Sequence, residues 1–367
     1  MGNRGTNERG DVLSTTADGR SLTTLWAEFS EALRIANESR TPVVELLTFQ
    51  TTLPGDEVAQ APAGPDFEEA SEFGEPKGIK VAPAPVTLGF TRKDYDLAKR
   101  FTWQFLRDAT SEQVSAVHNA AVEADNRNLF VKTLAAIFNN TNRTNPEGFT
   151  VYPAWSNDGM VPPPWEGNSF VGSHQHYMFT GVLNTWDPGD IDALLGAVTE
   201  HGYGQPGSDT QLLLLINPAQ EGVVRALRAG QGSPAASADF IPAVSAAPYL
   251  TDQTVIGQIP PASYEGVEII GSYGRAFVIS TYHVPDQYMI SMATGGRNSR
   301  NNPVGFREHP SAGARGLIQV PGPRPDYPLV DSFYLRTFGT GVRHRGAVAV
   351  MKADTAYSVP TAYVGVG

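Results

Sequence analysis

The chain has 367 residues, 37 glycines, 28 prolines and a net charge of −11, a length that implies more than one core and a composition that fits turns and long loops rather than a helical bundle. The acidic balance excludes a general nucleic-acid binder, whose phosphate affinity comes from clustered Lys and Arg, and the absence of cysteine excludes a disulfide framework or thiolate chemistry. No apolar run approaches a membrane span, and the polar start MGNRGTNERGDVLSTTADGR lacks a signal-peptide core, so a soluble protein made in a cytosol is expected.

Residues 1–22 read as a polar tail. Trp26, Phe29, Leu33 and Ala36 recur at helical spacing and predict a one-sided helix over 23–39. Pro42 is expected to end it, with Val43 to Phe49 as a strand. Residues 54–88 then hold six prolines, four glycines and seven acids against Lys77 and Lys80. A structureless stretch of that length inside a domain is usually a functional arm or disorder. Phe67, Phe73, Ile79, Val81, Val86 and Leu88 argue for an arm, because a solvated linker has no use for spaced apolar anchors.

Thr91 with Asp94 resembles a helix start, with Tyr95, Ala98, Phe101 and Phe105 on one face. Thr110 with Gln113 makes a capping box that opens a longer helix through Val114, Val117, Ala121, Phe130, Leu134, Ile137 and Phe138. Residues 149–180 suggest short strands with long turns. Asp187 ahead of Pro188 caps a helix over 190–200. Gln211–Ile216 (QLLLLI) reads as a strand buried on both faces, and Asn217-Pro218 starts a helix after it. Residues 231–265 are a Pro/Ala/Ser-rich excursion. Beyond it, strands are expected at 267–270, 276–282, 288–292, 316–320, 333–338 and 347–351. The fold class is α+β.

The chemistry is sparse. His174 and His176 are the one close histidine pair, and a metal site would need a third ligand and supporting partners. A polar strand face packed on Tyr177 is the preferred reading. Gly202–Gly207 (GYGQPG) lacks the Lys and Ser/Thr of a phosphate loop, and Ser173, Ser280 and Ser291 lack the nucleophile elbow. No catalytic, metal or cofactor residue is assigned, no cofactor is expected, and the protein is not expected to be an enzyme. The segment 272–352 holds ten cations and four acids, so an acidic arm and a basic C-terminal third suggest complementary surfaces on copies of the chain. Arg343 and Arg345, two apart in a strand-like segment, face one side with His344 opposite. With Arg336 they form the candidate docking surface for the carboxylates of another subunit's arm.

The order of these pieces resembles the major capsid proteins of tailed bacteriophages, the Hong Kong 97-type fold. The stretch VTLGFTRKDYDLAKRF passes from loop to helix as in that family. QLLLLINPAQEGVVRAL and GRAFVISTYHVPDQYMI look like its axial-domain units, and DSFYLRTFGTGVRHRGAVAVM looks like its returning strands. The resemblance implies an N-terminal arm (1–53), an extended loop (54–90), a peripheral domain with a spine helix (91–185), an axial domain (186–330) and returning peripheral strands (331–367). It implies a non-enzymatic shell protein, assembled in the host cytoplasm into pentamers and hexamers of an icosahedral virion. Its partners would be further copies of itself, a separate scaffolding protein (the polar tail is too short for a fused one), a portal protein and, in some shells, decoration proteins. Double-stranded DNA would be enclosed by non-specific contact, and no membrane is involved. Inter-subunit contacts would come from Phe67, Glu68, Glu69, Glu72, Phe73, Lys77 and Lys80. Some relatives crosslink subunits through a loop Lys, but no matching Asn or Glu is identifiable here. The alternatives are an encapsulin-type compartment shell and, from another class, a metal-dependent enzyme using His174 and His176, for which a bound metal would speak.

Overall fold

The computed structural model describes residues 15–38, 41–58, 69, 70, 72, 74, 85–245, 259–321 and 329–365. The chain gathers into two compact units, each assembled from separated segments: 1–41, 92–130 and 308–339 in the first, and 42–91, 131–307 and 340–367 in the second. The long helix Ser111–Phe138 contributes to both. It opens on the expected capping box, with the Thr110 amide donating to Gln113 Oε1 and the Gln113 amide to Thr110 Oγ1.

In the first unit, helix Leu22–Glu38 buries Leu22, Leu25, Phe29 and Leu33 along one stripe, as its spacing predicts. Leu22, Leu25 and Phe29 pack with Phe101, Leu106, Ala109 and Val114, and Leu33 packs with Ala121, Leu317 and Tyr334. The expected helix from Thr91 is overturned. Lys93–Thr102 is a strand, paired antiparallel with Leu329–Val342, which in turn pairs antiparallel with Leu317–Pro321. Tyr95, Leu97, Lys99 and Phe101 also fit a period of two, and ten successive cross-strand pairs outweigh a weak local helix signal. Only Trp103–Asp108 is helical there, capped by Thr102.

The second unit is built on a seven-stranded sheet. Its order is Tyr177–Phe179, Val348–Lys352, Tyr288–Thr294, Gln211–Ile216, Ala276–Ser280, Gly271–Tyr273 and Phe240–Pro242. Gln211–Ile216 lies antiparallel to Tyr288–Thr294 and parallel to Ala276–Ser280. Leu213 and Leu215 face the helix end Leu134–Phe138 together with Ile290, Met292, Val348 and Val350. Leu212, Leu214 and Ile216 face Ile191, Leu194 and Val198 of helix Pro188–Thr199, which Asp187 caps. Both faces are covered, which is why QLLLLI is a continuous apolar run.

Two local expectations fail for identifiable reasons. Pro42 opens the helix Pro42–Leu47 instead of only ending the previous one, because proline suits the first helical position. The strand then runs Thr48–Thr51, parallel to Val304–Arg307, a partner the sequence reading did not find. Arg343 and Arg345 lie beyond the strand that ends at Val342, in a turn where strand alternation no longer orders side chains. Among the described residues, no helix is long and apolar enough to cross a membrane.

Candidate functional site

The base of the acidic arm is a built structure. Gly55–Val58 and Val86–Gly89 pair antiparallel, Gly55 opposite Gly89 and Val58 opposite Val86. Below this stem the Phe90 amide donates to Pro54 O at 2.9 Å, closing the loop at its root. Asn145 Nδ2 donates to Pro54 O (2.8 Å) and Phe90 O (3.1 Å). Arg307, 3% exposed, adds a bond to Phe90 O and a bidentate pair to Glu147 at 2.5 and 3.0 Å. The fully buried Phe90 ring fits only because residues 305 and 341 are glycine: a Cβ at Gly305 would stand 2.3 Å from that ring. Hydrogen bonds and ring packing therefore fix where the arm leaves the domain.

The expected docking arginines separate on inspection. Arg336 and Arg345, each 5% exposed, are committed within the chain. Arg336 pairs with Asp125 at 2.6 Å. Arg345 pairs with Asp158 at 2.6 Å, donates to Pro153 O and lies 4.0 Å from the Trp155 ring centre. Both guanidinium groups are thus desolvated and paired within their own chain. Arg343 meets an arm carboxylate, but it is Asp56 of its own stem, with Arg300 at 3.9 Å. Glu69 and Glu72 are exposed; Phe67, Glu68, Phe73, Lys77 and Lys80 lie outside the described residues.

A second constellation lies beside this root. His174 and His176 are not the polar face of a strand. Gln175 between them forms a single bridge to Ser156, the His176 amide donates to Trp155 O, and the Val350 amide donates to His176 O. This backbone clamp turns both rings toward His201, which follows the helix Pro188–Thr199. The three Nε2 atoms stand 3.0, 3.0 and 3.1 Å apart. Glu200 Oε1 lies 3.3 Å from His174 Nε2 and 3.9 Å from His201 Nε2. The His201 ring is stacked on Phe170 at 4.3 Å, and Gly346 makes room for it, since a Cβ there would stand 2.8 Å from the imidazole. Burial lowers all three imidazoles, His201 to about 3, and raises the Glu200 carboxyl. Sequence reading found the pair but missed His201 and Glu200, because His201 lies 25 positions beyond His176 and the helix Pro188–Thr199 intervenes.

A cavity of about 250 Å³ joins the two constellations. Val58, Val86 and Leu88 of the stem line one side; Trp155, His201 and Arg345 line another. His201 is thus the member of the histidine cluster that faces the stem across this cavity.

No family profile and no curated protein match this chain. Among solved structures, a chain of Mycobacterium phage Patience is similar at 34% identity and a TM-score of 0.77, covering 100% of this chain and 98% of that one. A capsid chain of a native GTA particle shares 13% identity at a TM-score of 0.46, covering 86% of this chain and 92% of that one. The SrpI encapsulin of Synechococcus elongatus PCC 7942 shares 14% at 0.46, covering 90% and 98%. With the rooted loop stem and the long helix before a mixed sheet already in view, the full-length likeness at 34% identity is decisive: the chain belongs to the major capsid proteins of tailed bacteriophages, with the Hong Kong 97-type fold.

Proposed function

We propose that this shell protein assembles through pentamers and hexamers into an icosahedral capsid around double-stranded DNA, with the extended loop (54–90) laid over a neighbouring subunit. Its membership of the family makes it a structural component of the virion. The observation that carries the loop reading is the clamp at Pro54 and Phe90. A chain spends two buried side chains on fixing the exit of an arm when the arm's direction matters.

Phe67 and Phe73 anchor the arm on the neighbour, and Glu68, Glu69 and Glu72 face its Arg or Lys, with Lys77 and Lys80 on the same arm. Arg336 and Arg345 do not receive it; Arg300, with 75% of its side chain exposed, is the cation at the stem available to another subunit. Each rim ion pair is worth about 0–1 kcal/mol, so the aromatic anchors and repetition around each ring supply most of the stability. The regions act as arm (1–53), loop (54–90), peripheral domain (91–185 and 331–367) and axial domain (186–330), with the tail strand Val348–Lys352 shared with the axial sheet. A separate scaffolding protein and a portal protein complete assembly in the host cytoplasm, and decoration proteins can add to the finished shell.

The test replaces residues 59–85 by a two-residue turn joining Val58 to Val86, which the stem register permits. The subunit should fold and remain as monomers or small rings. Closed shells of normal stability from this variant would overturn the reading.

A further inference from the structure

We propose that His174, His176, His201 and Glu200 form a structural site for a first-row divalent transition-metal ion, zinc being the natural candidate. This goes beyond shell building, and nothing in the assembly reading requires it.

The argument starts from what three imidazole nitrogens can do at this spacing. Each Nε2 carries either one proton or one in-plane lone pair, so it can make one good hydrogen bond. Three mutual contacts of 3.0–3.1 Å cannot all be hydrogen bonds. His176 narrows the choice further. Its Nδ1 lies 2.7 Å from Val348 O, and a carbonyl only accepts, so Nδ1 holds the proton and Nε2 presents a lone pair. That arrangement, an outer nitrogen tied to a backbone carbonyl and the inner one unprotonated, is the usual support for a metal-bound histidine.

The triangle is close to the size a tetrahedral ion needs: bonds of about 2.0–2.1 Å place ligand nitrogens roughly 3.3 Å apart, so the three Nε2 atoms need open only slightly. With metal–nitrogen bonds of about 2.0–2.1 Å, an ion above a triangle of this edge sits roughly 1 Å out of its plane. The ligand atoms of all four residues lie within 4.8 Å of one another, so the carboxylate can supply a fourth bond by a change of rotamer. Three histidines and a carboxylate complete a tetrahedron and leave no open position for substrate, which makes the site structural rather than catalytic. It would cross-link the 155–176 segment, the end of helix Pro188–Thr199 and, through Val348, the sheet strand Val348–Lys352.

The experiment uses tag-free, full-length protein exposed to zinc and then dialysed. Elemental analysis should find about one zinc per subunit. The thermal midpoint should rise with zinc and fall on chelation, because an ion that binds only the folded state stabilises it by mass action. His174→Gln and His201→Gln should each weaken binding about tenfold or more and abolish the midpoint response. Should either variant misfold, cobalt substitution of the wild type replaces it, and the strong visible absorption of tetrahedral cobalt, removed by zinc, is then expected. Sub-stoichiometric zinc with no midpoint response in the wild type would overturn the proposal. Binding left intact in both folded variants, or weak octahedral-type cobalt absorption, would do the same.

Discussion

Arg336 distinguishes two accounts of the basic C-terminal third. As a docking residue, its loss would weaken contacts between subunits and leave the subunit itself intact. The structure instead places its guanidinium 2.6 Å from Asp125, with 6% and 9% of the two side chains exposed. Burial raises the Asp125 carboxyl against the opposing pull of Arg336, so desolvation outweighs the attraction of the pair. Arg336→Met should therefore strand a buried carboxylate at a cost of about 3–5 kcal/mol, and Asp125→Leu should strand the guanidinium at similar cost. The double variant carries no buried charge, and should lie within about 1 kcal/mol of the wild type or above it. The singles and the double thus differ by a coupling of several kcal/mol. Protonation also rescues the first variant. A carboxyl raised in the folded state is destabilising above its folded pKa and harmless below its unfolded one, near 4, so the Arg336→Met deficit should shrink as pH falls. Urea unfolding of dissociated subunits, followed by far-UV circular dichroism, measures all three variants. Additive losses, or an Arg336→Met subunit of normal stability that fails only in assembly, would refute the reasoning.

The remaining predictions concern titration in the first unit. Lys99 is 4% exposed, with Nζ 4.7 Å from the ring centres of Phe29 and Phe101, and burial pushes it down to about 8. The unfolded chain then binds the extra proton, so stability should rise between about pH 8 and 10.5 by up to about 3 kcal/mol, less what the ring faces return to the cation. Lys99→Met should abolish that rise and stabilise the subunit by about 1–3 kcal/mol at pH 7; a lower melting midpoint at pH 7 would show the aromatic rings winning instead. His118, 1% exposed and bonded through Nδ1 to the Tyr334 hydroxyl at 2.6 Å, is lowered to about 4 by burial and the nearby Lys99 charge. It carries no penalty above pH 6.5, and should cost up to about 3 kcal/mol as pH falls to 4. Acid titration followed by unfolding should show this loss in the wild type and a smaller one in His118→Gln.

Much of the fold was legible where one local pattern had one structural solution. Leu22–Glu38 shows its stripe, Asp187-Pro188 its cap, and Gln211–Ile216 its burial on two faces. Legibility failed where long-range pairing chose between two readings of the same residues. Tyr95 and Phe101 satisfy a helix as well as a strand, and only Leu329–Val342, more than two hundred residues later, decides. The same limit explains the sites. Two histidines two residues apart are visible in sequence, whereas His201 and Glu200 reach them only through the helix packed on the sheet. A metal at His174 and His176 alone would have pointed to an enzyme; with the fourth ligand in place it points to a brace. Arg343, Arg345 and Arg336 look alike in a string of letters, and burial alone separates two structural arginines from one at the loop stem.

The central claim is that copies of this chain close into a shell. Light scattering with electron microscopy of the expressed protein measures that directly. The account predicts rings of five and six subunits and closed particles of megadalton mass. A monodisperse species no larger than a dimer under every assembly condition would contradict it.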